Sequence, residues 1–235
     1  MGEIGEAFAV ALALVVALDA DLIEIVALSL RVSLSGTLVA CLIGMPLGAL
    51  VATSRFPGRA ILLTIMNAFM GLPPVTVGLL VYLFLSRSGP LGWLELLYTP
   101  GAMIIAQTVL ITPIVAALTR EVVQTLEVEY AEQFSSFALS PVQRMGALLY
   151  DARFALLTVA LAGFGRAIAE VGAVMIVGGN IDHATRVMTT AIALETSRGN
   201  LALALALGIV LVAIALGVNA GAMSLRGGAA RRAYG

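Results

Sequence analysis

Lysine is absent from this sequence of 235 residues, and cysteine and histidine each occur once. Without lysine the chain can form neither the phosphate-binding P-loop nor a Schiff base. The single cysteine, Cys41, excludes an intrachain disulfide, and the single histidine, His183, excludes sites that need two imidazoles. We therefore assign no catalytic residue and no metal ligand. If nucleotide energy is used, a partner must bind the nucleotide.

Charged residues are also scarce, at 11% against about 25% in soluble globular proteins. Hydrophobic residues make up 60% of the chain, and the mean hydropathy is +1.05. This leaves too little polar material to cover a water-facing surface. The net charge of −1 gives no argument for binding nucleic acid. The composition predicts a protein whose main solvent is membrane lipid.

The charge-poor stretches predict an all-α, polytopic membrane protein with about five transmembrane helices, in one domain covering residues 1–235. About 20 apolar residues cross a hydrocarbon core. The stretches long enough are 25–54, 60–86, 96–119, 154–177 and 201–225. The apolar part of segment 7–24 is shorter, and we expect that segment to lie in the outer interface. Residues 120–153 form the longest polar interruption and are predicted to be a cytoplasmic loop.

Arginine placement predicts the orientation, because basic residues accumulate in cytoplasmic loops. With five spans and an external amino terminus, eight arginines are cytoplasmic: Arg55, Arg59, Arg120, Arg144, Arg153, Arg226, Arg231 and Arg232. Four are external: Arg31, Arg87, Arg186 and Arg198. We therefore expect a cell membrane (inner or plasma membrane) location, with the amino terminus outside and the carboxyl terminus in the cytoplasm.

The cytoplasmic loop contains two apolar patterns of helical spacing, which predict two short amphipathic helices. The first pattern is Tyr130, Phe134 and Phe137, and the second is Val142, Met145 and Leu149. Ser140-Pro141 divides them, since serine is a good N-cap and proline is favoured at the first helical position. The aromatic residues either pack on the ends of the protein's own spans or fill a groove in a soluble partner. The pattern leaves both open.

The second stretch contains Gly71-Leu72-Pro73-Pro74 near its midpoint. Proline removes a backbone hydrogen bond, and a helix broken at this depth is tolerated where the freed groups face protein or water. The break therefore indicates either a translocation path or a packing kink.

The fourth stretch carries Arg166 and Glu170, four residues apart and so on one face of a continuous helix. Charges at this depth must face protein or water. They form either an ion pair that holds the helix to its neighbours or a site at which Arg166 offers positive potential to a passing anion. In the second case Glu170 would limit the affinity of Arg166 for the anion. Beyond this stretch, residues 177–198 predict a polar external turn and a short amphipathic helix on the outer surface. Gly44 and Gly48, like Gly217 and Gly221, offer small faces for helix contact.

The sequence resembles the permease subunit of bacterial and archaeal ABC importers, in the branch that takes up tungstate and molybdate and most like its tungstate type. The strongest stretch is 163–181, of the form G-F-x-R-A-x-x-E-x-G-A followed by G-N-I. Residues 185–196, 71–75 and 88–92 are similar to the same branch. The resemblance covers about residues 25–223.

In such permeases one cytoplasmic loop enters a groove of the ATPase, and residues 131–151 correspond to it. Glu132 takes the place of the family's glutamate, Gln133 and Phe134 replace its two alanines, and Ala138 replaces its glycine. The resemblance assigns the coupling contact to Glu132, Phe134, Ser136, Phe137, Ala138, Leu139, Ser140 and Pro141.

The resemblance implies the type I ABC importer permease fold and a homodimer with the substrate path on its axis. We expect the path to include Gly71, Pro73, Pro74, Arg166 and Glu170. Two cytoplasmic ATPase subunits would hold ATP and magnesium, and an external oxyanion-binding protein would deliver tungstate or molybdate. This chain would bind no cofactor and would not itself be an enzyme.

Two other classes remain as alternatives. An ion-gradient-driven secondary transporter or channel usually has more spans and internal inverted repeats, which are not visible here. A membrane scaffold would explain the cytoplasmic loop but neither the Gly-Leu-Pro-Pro break nor the Arg166–Glu170 pair.

Overall fold

The computed structural model describes the backbone of residues 2–54, 56–137 and 139–233, and the side chains of 5–54, 56–137 and 139–221. These ranges contain α-helices and one short 3-10 turn, Gly92–Leu94, and no strand. The helices are α1 Gly2–Val16, α2 Ala20–Thr53, α3 Arg59–Met70, α4 Pro74–Leu85, α5 Pro100–Glu129, α6 Ala131–Ser136, α7 Pro141–Asp151, α8 Arg153–Ile168, α9 Gly172–Gly178, α10 Met188–Ser197 and α11 Leu201–Ala233. The all-α prediction is confirmed.

Three of the described helices are long and apolar enough to cross a membrane. They are α2, α5 and the part of α11 from Leu201 to Gly221. Two interrupted pairs, α3 with α4 and α7 with α8, pass the same test when each pair is taken together. The fold therefore provides up to five spans, as the composition predicts.

Several helices begin or end at residues other than the predicted bounds, and the local sequence explains two of these differences. Segment 7–24 is divided between two helices, because α1 ends at Val16 and α2 begins at Ala20. The Asp19 carboxylate caps α2 by accepting hydrogen bonds from the backbone N–H groups of Asp21 and Leu22. The third span continues to Glu129, since residues 120–129 contain neither glycine nor proline. The predicted span 154–177 is not one continuous helix, because the helix is interrupted at residues 169–171.

The chain divides into two compact units, and the first comprises Met1–Gly36, Pro73–Gln107 and Gly165–Val218. In this unit α4 packs on α9, and a Cβ at Gly78 would lie only 2.8 Å from the Cα of Ala173. Glycine at this position therefore permits close contact of the two helices. The first unit also buries five of the ten residues of α10, among them Thr189 and Thr190, so this helix does not lie wholly on the surface.

The second unit comprises Thr37–Leu72, Thr108–Phe164 and Asn219–Gly235. Here α2 crosses α5 closely, since a Cβ at Gly44 would lie 3.0 Å from the carbonyl oxygen of Thr112. Gly48, one turn further, would overlap the backbone of α5 if it carried a side chain. The first small-residue motif is thus a packing face. Gly217, which belongs to the first unit, makes no such approach, because a Cβ there would meet nothing within 4 Å.

Candidate functional site

The first unit contains a helix break at residues 169–171, between α8 and α9, whose backbone groups find partners inside the protein. The side-chain Nε2 of Gln107 donates to the carbonyl oxygen of Ala167 at 3.1 Å. The hydroxyl of Thr189 donates to the carbonyl oxygen of Glu170 at 2.6 Å. Both side chains are buried. A break at membrane depth requires such internal partners, so these contacts stabilise a non-helical turn that lipid alone would not tolerate.

Arg166 and Glu170 form an ion pair across this break. Nη1 of Arg166 lies 2.5 Å from Oε2 of Glu170. The other carboxylate oxygen accepts a hydrogen bond from the backbone N–H of Ala173 at 3.1 Å and so caps α9. The predicted pairing is present, but the two residues do not share one continuous helix, because α8 ends at Ile168.

The two ends of the pair differ in accessibility, which gives the site a positive open face. The side chain of Arg166 is 38% exposed, whereas that of Glu170 is only 4% exposed. Both carboxylate oxygens of Glu170 are engaged, one by Arg166 and one by Ala173. Arg166 is therefore the accessible member of the pair, and Glu170 is the buried one.

The Pro73-Pro74 break also lies in this region of the first unit. Pro74 occupies the first position of α4, and a Cβ at Gly172, the first residue of α9, would lie 2.8 Å from Cγ2 of Val75 and 3.7 Å from Oε1 of Glu170. The beginnings of α4 and α9 are thus in contact. The fold brings Pro73, Pro74, Arg166 and Glu170 into one neighbourhood, whereas Gly71 belongs to the second unit.

Sequence reasoning missed Gln107 and Thr189. Gln107 stands alone as an amide in the apolar stretch 96–119, and an isolated amide in a membrane span is a usable sign of a buried hydrogen bond. Thr189 could not be found in this way, because it belongs to the helix that we expect on the surface and the fold instead buries.

The second unit holds the predicted cytoplasmic helices. Ser140 caps α7 in a capping box with Gln143, and Pro141 occupies the first turn, as the sequence predicts. Phe134 and Tyr130 pack edge to face, with ring centroids 5.8 Å apart, on an apolar cluster of the same unit. Phe137 lies beyond the end of α6 and is 73% exposed.

The two predicted short helices are present as α6 and α7, but α6 begins after Tyr130 and ends before Phe137, so it does not carry all three aromatics. Two of the aromatics pack on the protein itself and the third, Phe137, is exposed, so insertion into a groove of a soluble partner stays a prediction. Of the remaining predicted coupling residues, Glu132, Ser136 and Ser140 are exposed and Leu139 is half-buried. Ala138 lies outside the described residues.

His183 links the loop after α9 to α2 in the first unit. Its Nδ1 lies 2.9 Å from Oε2 of Glu24. The hydrogen bond to Glu24 and the charge of this carboxylate raise the pKa of His183, with a further contribution from the charge of Asp182. His183 is thus part of an ion pair when protonated.

We expect this pair to make the first unit more stable at low pH. Because the folded-state pKa is raised, the stabilisation is fully present below the unfolded value of about 6.5 and is lost as pH rises through the folded-state pKa. The His183→Gln variant should therefore unfold at a lower temperature than the wild type at about pH 5.5, and this difference should disappear at about pH 9. An equal deficit at both pH values would contradict this interpretation of the contact.

Known proteins match most of this chain. The profile of a family described as "Binding-protein-dependent transport system inner membrane component" matches residues 44–225. A probable anion ABC transporter permease protein of Haloferax volcanii is 42% identical over 187 residues, which cover 77% of this chain and 80% of that protein.

Two further matches carry a tungstate name. A tungstate uptake system permease protein of Peptoclostridium acidaminophilum is 39% identical over 226 residues, 96% of this chain and 99% of that protein. A tungstate uptake system permease protein of Campylobacter jejuni is 43% identical over 138 residues, 59% of this chain and 58% of that protein. The family match includes both helix breaks, the Arg166–Glu170 pair and helices α6 and α7.

Proposed function

This chain belongs to the family of inner-membrane components of binding-protein-dependent transport systems, and from that premise we propose that it is the permease of an ATP-driven importer of tungstate or molybdate. It is a multi-pass inner-membrane permease, and a transporter of this kind works with an ATPase and a binding protein. Permeases of this kind are not themselves enzymes. Family membership favours the importer over a gradient-driven transporter or a scaffold.

The observation that carries the proposal is the asymmetric exposure of the Arg166–Glu170 pair. A guanidinium that is more than a third exposed, beside a carboxylate that is almost fully buried, presents positive potential to an anion. Arginine is well suited to a tetrahedral oxyanion, because its planar fork donates two parallel hydrogen bonds. Glu170 limits the net charge of the site, which favours passage over tight retention. The names of the relatives point to the same substrate class, because one is named for an anion and two are named for tungstate.

The assembly that we propose is a homodimer with two ATPase subunits beneath it. Each ATPase would hold ATP and magnesium, since this chain has no lysine for a P-loop. An external oxyanion-binding protein would deliver the anion. We retain the orientation with the amino terminus outside, which rests on arginine positions in the sequence. Of those arginines, Arg55 and the side chains of Arg226, Arg231 and Arg232 lie outside the described residues.

The mechanism follows from these parts. ATP binding draws the two ATPases together, and the segment from Phe134 to Pro141 moves with the groove that holds it. This movement is passed to the spans and opens the path outward. The released anion then meets Arg166, and its affinity for the guanidinium is moderated by Glu170. ATP hydrolysis returns the permease to the state in which the anion leaves toward the cytoplasm.

Competition for uptake tests the substrate class. The permease, its ATPase and its binding protein are reconstituted in vesicles, and ATP-driven uptake of tungstate is measured with excess molybdate or with excess of an uncharged sugar. We expect molybdate to compete, because both anions are tetrahedral dianions, and the sugar to have no effect. If tungstate uptake is no higher than in protein-free vesicles, the substrate assignment is wrong.

A further inference from the structure

Helix α7 of the second unit packs on the carboxyl-terminal parts of α2 and α5 through an apolar cluster. Leu148 of α7 is fully buried with Ala49, Ala52 and Val123, and the residues packed against this group are Leu126, Tyr130, Phe134, Met145 and Leu149. Apolar packing of this kind has no preferred direction. The cluster holds α7 against α5 but does not by itself prevent α7 from turning or sliding along it.

Two directional contacts remove that freedom, one toward each end of α7. Near its beginning, Nη2 of Arg144 lies 3.1 Å from Oε1 of Glu127 on α5. At its last residue, Oδ2 of Asp151 accepts a 2.7 Å hydrogen bond from the hydroxyl of Tyr130, the residue after α5. That bond and the charge of Asp151 raise the pKa of Tyr130 above its ordinary value, which already keeps the hydroxyl protonated at neutral pH.

Arg144 also joins α6 to this arrangement. Its guanidinium carbon lies 5.3 Å from the centroid of the Phe134 ring, within the range of a cation–π contact. The side chains of Glu127 and Arg144 are only 18% and 30% exposed, so water screens the pair less than it screens an ion pair on the surface. Arg144 therefore touches both α5 and α6 from its place on α7.

We propose that the Glu127–Arg144 and Tyr130–Asp151 contacts, here called the α5–α7 clamp, make the movement of α6 and α7 move α5. The proposal rests on the function proposed above, in which an ATPase drives α6 and α7. With contacts at both ends, α7 cannot rotate about its axis or slide without breaking one of them. Force on the coupling segment is then passed to α5, which is itself a membrane span. Without the clamp, α7 can shift on the apolar cluster and the force is lost. The four residues are positioning residues that touch neither the anion nor the nucleotide.

The test measures the amount of tungstate imported per ATP hydrolysed by the reconstituted transporter. Tyr130→Phe removes one hydroxyl and leaves the ring that packs on Phe134, so it is the mildest way to open one end of the clamp. Glu127→Gln removes the negative charge at the other end and so weakens the contact with Arg144. The matched control is Glu129→Gln, which makes the same chemical change at the same helix end on an exposed carboxylate. A paired exchange, Glu127→Arg with Arg144→Glu, rebuilds the ion pair with its charges reversed.

We expect import per ATP to fall at least about threefold in Tyr130→Phe and in Glu127→Gln, because each variant weakens a contact to a charged group at one end of the clamp. The Glu129→Gln control should match the wild type, and the paired exchange should recover most of the loss seen with Glu127→Arg alone. If the wild type imports tungstate and the variants import the same amount per ATP hydrolysed, the clamp is overturned but the proposed function is not. A wild-type protein that imports no tungstate would overturn the proposed function and the clamp with it.

Discussion

Replacing Arg166 with leucine should slow tungstate uptake by about tenfold to a hundredfold, because a hydrogen bond to a charged group contributes about 1.5–3 kcal/mol. The variant removes the positive group that faces an entering anion. It also leaves Glu170 buried without its partner at 2.5 Å. Loss of a fully buried partner costs about 3–5 kcal/mol of stability, and the cost here should be smaller because Arg166 is partly exposed. Uptake by reconstituted transporter, with its binding protein and ATPase in excess, measures the effect.

Glu170→Gln separates the two roles that the pair could have. A glutamine oxygen can still accept from the N–H of Ala173, and Arg166 keeps its charge. If Arg166 serves the anion, Glu170→Gln should retain measurable uptake and bind tungstate more tightly, because the positive charge is no longer balanced. If the pair only holds the helices together, both variants should lose dimer yield and uptake to the same degree. Unchanged uptake and unchanged dimer yield in Arg166→Leu would contradict both roles.

Phe137→Asp should weaken association with the ATPase by about 30-fold or more, since an aromatic residue central to an interface often contributes at least 2 kcal/mol. Phe137 is 73% exposed and lies between α6 and α7, so it does not contribute to the apolar cluster of the second unit. The variant should therefore fold normally. The measurement is the affinity of detergent-purified permease for its ATPase, together with the ATP hydrolysis of the complex.

Trp93→Asp provides the control for this variant. Trp93 is 76% exposed and lies in the 3-10 turn, which the proposed orientation places on the outer side. It should leave ATPase association unchanged. A Phe137→Asp protein that binds and stimulates the ATPase like the wild type would refute the assignment of Phe137 to the coupling contact. A Trp93→Asp protein that loses the ATPase would refute the orientation.

Local rules were sufficient where one residue and its near neighbours decide the structure. Ser140 and Pro141 specify the beginning of α7, and Pro73-Pro74 specify the break before α4, because capping and the missing proline N–H act within a few residues. The long apolar runs likewise predict α2 and α5. The extension of α5 to Glu129 exceeds the expected span because a change from apolar to polar residues ends the membrane segment but not the helix.

The break between α8 and α9 could not be predicted in this way. The partners that permit it, Gln107 and Thr189, are distant in the chain and meet Ala167 and Glu170 only in the folded unit. The spacing of Arg166 and Glu170 predicts their contact correctly, yet it gives no sign that the helix ends between them. Nor does the pattern of α10 indicate burial, since threonines at a surface and threonines that donate to buried carbonyls look alike in sequence.

The energy source of transport tests the central claim most directly. Vesicles containing the permease, its ATPase and its binding protein are loaded with ATP or with ADP, and tungstate uptake is followed with and without ionophores that collapse ion gradients. We expect uptake to require internal ATP and to continue with ionophores. Uptake that proceeds with ADP and stops when the gradients collapse would contradict it.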